Sequence, residues 1–549
     1  MAADVTSTDK KTEELIEKYS AMPHPKTSEL PTMALLLLTG FIGAIIGMEL
    51  MVSAGVTANT SIIGALCAVL IGLIPFKCFE RFKNIHRQNI IETGISASTF
   101  AAGNMIFFAL AIVWIVDKTL LTPMMIGASA AIILDVLMMY WLFDTPVMPA
   151  TGTWGPGVAT SETIISAAEG GKRALIMVAS GIVGAIGQAF RIPMDIFGIC
   201  FLGNPWALLM FGVGLLLRAY SPQLFDIDLA ALYVPHGVMI GGGLVAIYQV
   251  IRALSKKNPP NGTQAEAGAG DPLPTRTNEH TRKSLGIGVS LYLVVATGLA
   301  VAGGLYFEMS TPALVGWIVY VALTSVMAEL LVGAAAMNAG WFPSAPIALL
   351  FVIVGILLGF DTRPLILLAG FKLCAGPAFA DMGYDLKAGW ILRGRGKHRE
   401  FEIEGRKQQL YAELVGAGMG IAMVVFLHAS YFGRDLFPPS ARVFAATIQA
   451  ASDPSIIKSL LIWGVVGGII QLLGGPQRQM GILLATGLLI YNPRGGFAVL
   501  AALAIRYALR RKFGGKEENT LYICAAGFIA GASLYSFFKS TIGALTIKR

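Results

Sequence analysis

Long stretches of this chain contain no Asp, Glu, Lys or Arg, and this pattern limits the folds available to it. A helix that spans a bilayer needs roughly 17–25 predominantly apolar residues, and most of these stretches meet that length. Hydrophobic residues make up 55% of the 549 residues and charged residues only 13%. We therefore predict an all-α, polytopic membrane protein. The uncharged stretches are Thr32–Met48, Ala174–Phe190, Ile196–Leu217, Ser284–Phe307, Leu330–Phe360 and Asn519–Phe538.

The hydrophobic segments predict about 14–16 transmembrane segments, some of them broken or re-entrant. Glycine and proline interrupt the pattern near Gly152–Gly170, Asn338–Ala345 and Ala375–Gly389. Irregular backbone at membrane depth is tolerated only where it is buried in protein or lines a cavity. Broken helices of this kind are typical of the binding sites of secondary transporters.

The chain divides into four predicted parts. Residues 1–30 are polar and charged, which favours a soluble N-terminal tail over a signal peptide. Residues 31–254 and 284–549 form two membrane halves of similar size. Residues 255–283, rich in Asn, Pro, Gly and charge, form a flexible polar linker between them.

Two short matches suggest that the halves are related repeats. Tyr233-Val-Pro-His-Gly237 and Tyr491-Asn-Pro-Arg-Gly495 share a Tyr-x-Pro-x-Gly pattern before an apolar helix. A looser match pairs Gly171-Lys-Arg with Gly405-Arg-Lys, each predicted to begin a glycine-rich helix. Repeated halves with a substrate site at their interface are common in secondary transporters.

The net charge of +8 is concentrated in short clusters between apolar segments. Such clusters are typical of cytoplasmic loops, whereas nucleic-acid binding needs a basic face on a soluble module. We therefore expect no nucleic-acid partner. The clusters are Lys77–Arg87, Arg252–Lys257, Arg276–Lys283, Arg393–Lys407 and Arg506–Lys516.

The motif content excludes several classes of protein. The sequence has no G-x-x-x-x-G-K-[ST] phosphate loop, no H-E-x-x-H and no G-x-S-x-G, which argues against an ATP-driven pump and against a membrane enzyme. Its five cysteines and six histidines form no metal-ligand spacing. We expect no cofactor, no protein-bound metal and transport energised by an ion gradient.

Glu92 lies in the segment Asn89-Ile-Ile-Glu-Thr93, which leads into an apolar helix. An acid at membrane depth is costly and commonly marks a proton or ion pathway. Two interpretations stay open: a proton or cation relay, and a wetted residue at the mouth of the helix.

A second candidate is Trp154-Gly-Pro-Gly-Val-Ala-Thr160, where Pro156 and Gly157 resemble the first turn of a helix. Free N–H groups at a helix N-terminus can receive a substrate carboxylate. The alternative is ordinary capping of a connecting helix. We take Trp154, Pro156, Gly157 and Thr160 as candidate substrate-binding residues.

Asp381, Asp385 and Lys387 form the densest charged set beside an apolar segment. Two acids four residues apart share a helix face and repel unless a proton or cation lies between them. The alternative is a solvated turn before the basic loop. Tyr233 and His236 are weaker candidates for substrate binding, because a lone histidine there more often caps a helix or packs.

These motifs resemble, in order and spacing, the oligopeptide transporter family, which includes the yellow stripe-like metal-chelate carriers. The stretch Ala-Asp-Met-Gly-Tyr-Asp-Leu-Lys-Ala-Gly from Ala380 to Gly389 is similar to the family's Ala-Asp-x-x-x-Asp-Leu-Lys-x-Gly. Trp154-Gly-Pro-Gly157 departs from the family's Tyr/Trp-Pro-Ser/Thr-Gly. The resemblance implies that Glu92, Pro156, Gly157, Asp381, Asp385 and Lys387 lie on or beside the transport pathway.

The resemblance implies a secondary carrier of the cell membrane that imports short peptides or peptide-like solutes with protons by alternating access. Glu92, Asp381, Asp385 and Lys387 are the expected ion-coupling residues. Import of metal–chelator complexes by the same mechanism is the alternative, and a passive channel is less favoured. The expected partners are the solute or its metal complex, protons and the lipid bilayer, with a homodimer as one candidate assembly.

Overall fold

The computed structural model describes residues 2–54, 60–72, 74–255, 274–340, 344–438, 441–442, 444–445, 448, 454–478, 480–514 and 518–546. Helix accounts for 83% of it, and no strand occurs among these residues, which confirms the all-α prediction. The helices are α1 (Ala2–Ser20), α2 (Leu30–Ala54), α3 (Thr60–Gly72), α4 (Ile85–Phe100), α5 (Phe108–Val116), α6 (Leu121–Leu142), α7 (Gly155–Glu169), α8 (Gly171–Ala189), α9 (Met194–Ile199), α10 (Pro205–Phe225), α11 (Val234–Ser255), α12 (Asn278–Ala302), α13 (Thr311–Ala339), α14 (Ser344–Leu357), α15 (Thr362–Leu373), α16 (Pro377–Leu392), α17 (Arg399–Phe432), α18 (Pro454–Arg478), α19 (Met480–Leu489), α20 (Pro493–Phe513) and α21 (Glu518–Thr546).

Nine helical segments within the described residues are long and apolar enough to cross a membrane, and four shorter apolar helices accompany them. Together they make a multi-pass membrane protein, as predicted. One of the nine, Ile85–Val116, joins α4 to α5 through a π-helical turn at Ala101–Phe107. Another, Thr362–Leu392, contains both α15 and α16.

Two helices, α4 and α16, form the centre of the molecule, since all 16 residues of each are buried. The side chain of Asn84 accepts hydrogen bonds from the His86 and Arg87 amides and so fixes the start of α4. Around α16 pack α4, α6, α7, α13 and α17. A helix covered on every side needs no polar face, so its ionisable residues lie inside the protein and not at its surface.

The predicted break near Ala375–Gly389 occurs at the junction of α15 and α16. Gly376 has a φ of 125°, a conformation open to glycine. Pro377 follows as the first residue of α16, where its missing N–H costs nothing. The break therefore follows directly from a Gly-Pro pair inside one apolar stretch.

The end of the N-terminal segment, residues 24–29, packs against the membrane helices. Thr27 donates from its hydroxyl to the Gln408 carbonyl oxygen at 2.7 Å. Glu29 and Arg87 form an ion pair at 2.7 Å. His24 packs against Phe401 with ring centroids 5.1 Å apart, and burial, helped by the charge of Arg393, lowers its pKa to about 4. The segment predicted as a soluble tail thus contacts α4 and α17.

The described residues cover only part of the predicted linker at 255–283, because residues 256–273 lie outside them. The part that is described is ordered: α12 begins at Asn278, six residues before the predicted second half. Thr275 donates its hydroxyl to Asp144 at 2.6 Å. The end of this segment is therefore held against the first half.

The two repeat matches have different outcomes. Tyr233 directly precedes α11, and Tyr491 lies two residues before α20, in agreement with the closer match. The looser match is wrong about the second helix start. Gly171 begins α8, whereas Gly405 lies inside α17, which begins at Arg399.

Candidate functional site: a buried carboxyl cluster

Three central helices bring four acids together in the interior. Glu92 comes from α4, Asp381 and Asp385 lie one turn apart on α16, and Glu413 comes from α17. Their exposures are between 0 and 2%. We call these four residues the carboxyl cluster. Full burial excludes both the wetted helix mouth for Glu92 and the solvated turn for the aspartates.

Hydroxyl groups on two helices bind the aspartates of the cluster. Ser61 of α3 donates to Asp385 Oδ1 at 2.9 Å. Ser96 of α4, one turn beyond Glu92, lies 3.0 Å from Asp381 Oδ1. The two serine oxygens are 3.1 Å apart, so a continuous line of polar groups runs from one aspartate to the other.

The carboxyl groups also contact one another. Asp385 is within hydrogen-bonding reach of both Glu92 and Glu413. One oxygen of each of these three groups receives no hydrogen bond from other described residues, and none of the three forms an ion pair there. Two carboxyl groups can hydrogen-bond only when one of them carries a proton. The geometry therefore calls for protons or a cation between them.

The cluster also has a donor set suited to a hard cation. One ligand oxygen from each of Asp381, Asp385 and Glu413 lies within 4.8 Å of the others. Carboxylate and hydroxyl oxygens are the ligands that such cations prefer. The sequence predicted no metal site from the spacing of its histidines and cysteines, and Glu413 lies 28 residues after Asp385 in the chain.

Lys387 also lies on α16, and its side chain contacts the loop that precedes α7. Its Nζ donates to the carbonyl oxygens of Ala150 and Gly152 at 2.8 and 3.0 Å, and it lies 4.6 Å from the centroid of the Trp390 ring. These carbonyls belong to the loop that precedes α7. Lys387 therefore anchors this loop to α16.

The predicted substrate motif is a packing contact between α7 and α16. Trp154 is fully buried and its indole N–H donates to the Pro149 carbonyl oxygen at 3.0 Å. A Cβ placed on Gly157 would lie 2.4 Å from the Tyr384 carbonyl oxygen. Pro156 stands in the first turn of α7 and contacts Gly340. The absence of a side chain at Gly157 therefore lets the backbone of α16 approach α7 closely.

Thr160 lies one turn into α7 and is fully buried. Its hydroxyl has no hydrogen-bond partner among the described residues. A buried hydroxyl without a partner costs free energy. Of the four candidates in this motif, Thr160 is the one that has an unused polar atom.

Tyr233 and His236 lie on a different set of helices. Their rings are 5.4 Å apart at the start of α11, and α11 packs mainly against α18 and α19. Neither of those helices carries a residue of the carboxyl cluster. Within the described residues, no hydrogen bond connects this pair to the cluster.

A second polar group at the end of α16 was not predicted. Arg393 donates to Glu402 at 2.8 and 3.0 Å, Arg406 donates to Glu402 at 2.7 Å, and Arg406 donates to Asp144 at 2.9 Å. We call these four residues the ion-pair network. The sequence assigned Arg393 and Arg406 to a cytoplasmic loop, but their exposures are 1 and 2%. The Glu402–Arg406 spacing of four was the available signal.

Gln409 links the two polar groups. It accepts from Arg393 at 2.8 Å and donates to the Asp385 carbonyl oxygen at 2.6 Å and to Thr93 at 3.2 Å. The amide therefore spans the distance from the ion-pair network to the helices that carry Glu92 and Asp385.

The described residues thus form a multi-pass α-helical membrane protein with a group of buried acids at its centre. The family model of the OPT oligopeptide transporter protein matches residues 229–542. The chain belongs to this family of transporters. The match includes Asp381, Asp385 and Glu413 and begins after Glu92 and the Trp154–Thr160 motif. Neither the curated proteins nor the solved structures contain a match.

Proposed function

We propose that this protein is a proton-coupled symporter that brings short peptides or peptide-like solutes across the cell membrane into the cytoplasm by alternating access. Membership of the OPT family supports the class of solute. The observation that carries the proton coupling is the contact of Asp385 with both Glu92 and Glu413 without a basic partner. Such a group is stable when it holds protons and is destabilised when it loses them.

The position of the cluster supports a link between protonation and helix movement. Its acids lie on three helices, so loss of protons introduces repulsion between α4, α16 and α17 at once. Carriers with alternating access move one bundle against another around a central site. In this proposal Glu92, Asp381, Asp385 and Glu413 bind the coupling protons, and Lys387 positions the loop before α7.

For the substrate we propose Trp154, Pro156, Gly157 and Thr160 as one wall of the pathway, with the free hydroxyl of Thr160 as its polar contact. Tyr233 and His236 would contribute from α11. A thermal-shift screen of the purified protein against di- to pentapeptides, glutathione and metal–chelator complexes tests the substrate class. A ligand that binds the folded state raises the apparent stability of the protein. A response to the metal–chelator complexes alone would show that the substrates are metal chelates and not peptides.

The coupling is tested by uptake into proteoliposomes under an imposed pH gradient. We expect the gradient to accelerate peptide uptake by the native protein. Asp385→Asn, which keeps the size of the side chain, should lower driven uptake to the rate without a gradient while retaining peptide counterflow. The matched control is Glu308→Gln, a change in an exposed acid at the end of a membrane segment.

Three outcomes contradict parts of the proposal. If uptake by the native protein does not respond to the pH gradient, transport is not coupled to protons. If a sodium gradient accelerates uptake instead, the carboxyl cluster binds a cation. An undiminished response in Asp385→Asn removes the cluster from coupling. Flux that neither saturates nor shows counterflow identifies a channel.

A further inference from the structure

A third buried polar group surrounds the break before α16. Asp135 comes from α6, Tyr292 from α12, Glu329 from α13 and Lys372 from α15. All four are at most 1% exposed. Their sequence positions gave no indication that they meet, and neither the ion-pair network nor the carboxyl cluster includes them.

The contacts in this group outnumber the available hydrogens. The Tyr292 hydroxyl oxygen lies 2.8 Å from an oxygen of Asp135 and 2.8 Å from an oxygen of Glu329. The two carboxyl groups are also within hydrogen-bonding reach of each other. A tyrosine hydroxyl has one hydrogen to donate. The arrangement therefore requires one further proton, carried by one of the two acids.

The surroundings of Asp135 favour its ionised form. Its Oδ2 accepts from the Gly376 amide at 2.5 Å and lies 3.4 Å from the Phe379 amide. Both amides are at the N-terminus of α16, where the helix dipole stabilises a negative charge. Asp135 thus supplies the hydrogen bonds that the broken backbone at Gly376 would otherwise lack.

The surroundings of Glu329 favour its neutral form. Its Oε2 has no hydrogen-bond partner among the described residues, so no donor there stabilises a negative charge on the carboxyl group. A proton on Oε1 can be donated to the Tyr292 hydroxyl oxygen at 2.8 Å, which leaves the tyrosine hydrogen for Asp135. The Lys372 ammonium donates to the Val321 carbonyl oxygen at 2.7 Å and to Ser325 at 2.6 Å. With Asp135 negative and Lys372 positive, a neutral Glu329 leaves the buried group without net charge, which is its least costly state.

We propose that Glu329 is a second proton-binding site, separate from the carboxyl cluster and placed to act on the break between α15 and α16. The ionisable groups that face it or its partner acid are Asp135, Tyr292, Lys372 and Cys374. Lys372 donates to Ser325, which lies one turn before Glu329 on α13. Lys372 is therefore the nearest counter-charge when Glu329 loses its proton. Because Asp135 holds the start of α16, the same event acts on the helix that carries Asp381 and Asp385.

Infrared spectroscopy of the reconstituted native protein without substrate tests this assignment. Protonated carboxyl groups give carbonyl bands that shift in heavy water. At neutral pH we expect Glu329→Gln to remove the area of one such band and Asp135→Asn to remove none. Glu279→Gln, which changes an exposed acid on α12, is the matched control and should leave the bands unchanged.

A second variant keeps the test decisive if Glu329→Gln does not fold. Tyr292→Phe removes the hydroxyl that bonds Glu329, so the carbonyl band should move in frequency and keep its area. If a band is lost in Asp135→Asn alone, the proton is on Asp135 and the assignment to Glu329 is wrong. If the bands are unchanged in both Glu329→Gln and Tyr292→Phe, this group of residues holds no such proton. The spectra require no transport, so this result is independent of the uptake assay.

Discussion

The carboxyl cluster and the ion-pair network are both buried where α16 meets α17, yet they differ in charge balance. In the network two guanidinium groups face two carboxylates, and Arg393 binds Glu402 through two nitrogens. In the cluster Asp385 faces other acids and no basic side chain forms an ion pair with it in the described part of the chain. A balanced group is stable as it stands, whereas an acid-only group depends on protons or a cation from outside.

The difference assigns the two groups separate tasks in our proposal. The network fixes the end of α16 against α17 and the loop at Asp144. The cluster, about two to three helical turns away along α16, responds in this proposal to the supply of protons. Gln409 joins them, so a change in one can reach the other through a single side chain. Three substitutions test whether the two groups differ in this way.

The largest expected effect is on stability, from Glu402→Gln. It leaves Arg393 and Arg406 buried without their shared carboxylate, and removal of one partner from a buried ion pair costs about 3–5 kcal/mol. Denaturant unfolding in detergent micelles measures the loss. Glu400→Gln, an exposed change in the first turn of the same helix, should leave the unfolding midpoint in place. Equal midpoints for the two variants would show that the network contributes no stability.

An intermediate effect is expected for Gln409→Leu. It removes an acceptor from Arg393 and a donor from the Asp385 carbonyl oxygen, and an unsatisfied buried polar group costs about 1–3 kcal/mol. The same unfolding assay measures this loss, with Lys407→Leu as an exposed control on α17. Proteoliposome uptake adds a second measurement: normal stability together with a normal response to the pH gradient would show that the two groups are not linked.

The smallest effect on stability is expected for Asp385→Asn. It removes one acid from a group of acids and keeps the volume and an acceptor for Ser61. We expect the free energy of unfolding to change by less than about 1 kcal/mol or to increase at neutral pH, where the native cluster must otherwise retain its protons. A loss as large as that of Glu402→Gln would mean that the cluster is a structural element like the network.

Local patterns in the sequence were enough to predict part of this architecture. Uncharged stretches of membrane length predicted the helices, and Gly376-Pro377 predicted the break before α16, because both depend on neighbouring residues alone. The spacing of Asp381 and Asp385 placed them on one face of a helix. For Glu92 the sequence leaves two alternatives, a proton or cation relay and a wetted residue at the helix mouth, since helix periodicity does not show what covers a helix.

Long-range contacts were beyond the same reasoning. Glu413 lies 28 residues after Asp385 in the chain, and only the crossing of α16 and α17 brings the two carboxyl groups together. The sequence also grouped Arg393 and Arg406 with loop residues, because local charge density is the same for a solvated and a buried arginine. The close approach of the α16 backbone to Gly157 is likewise a contact between distant parts of the chain, which the local motif does not specify.

Consecutive residues alone therefore indicate the class of protein: a helical, multi-pass membrane transporter with acids and helix breakers inside apolar segments. The packing of the helices determines which acids contact one another and which are neutralised by arginine. The physical reason is that hydrophobic length is a property of consecutive residues. Charge compensation in a medium of low dielectric depends on distances of a few ångström between residues from separate helices.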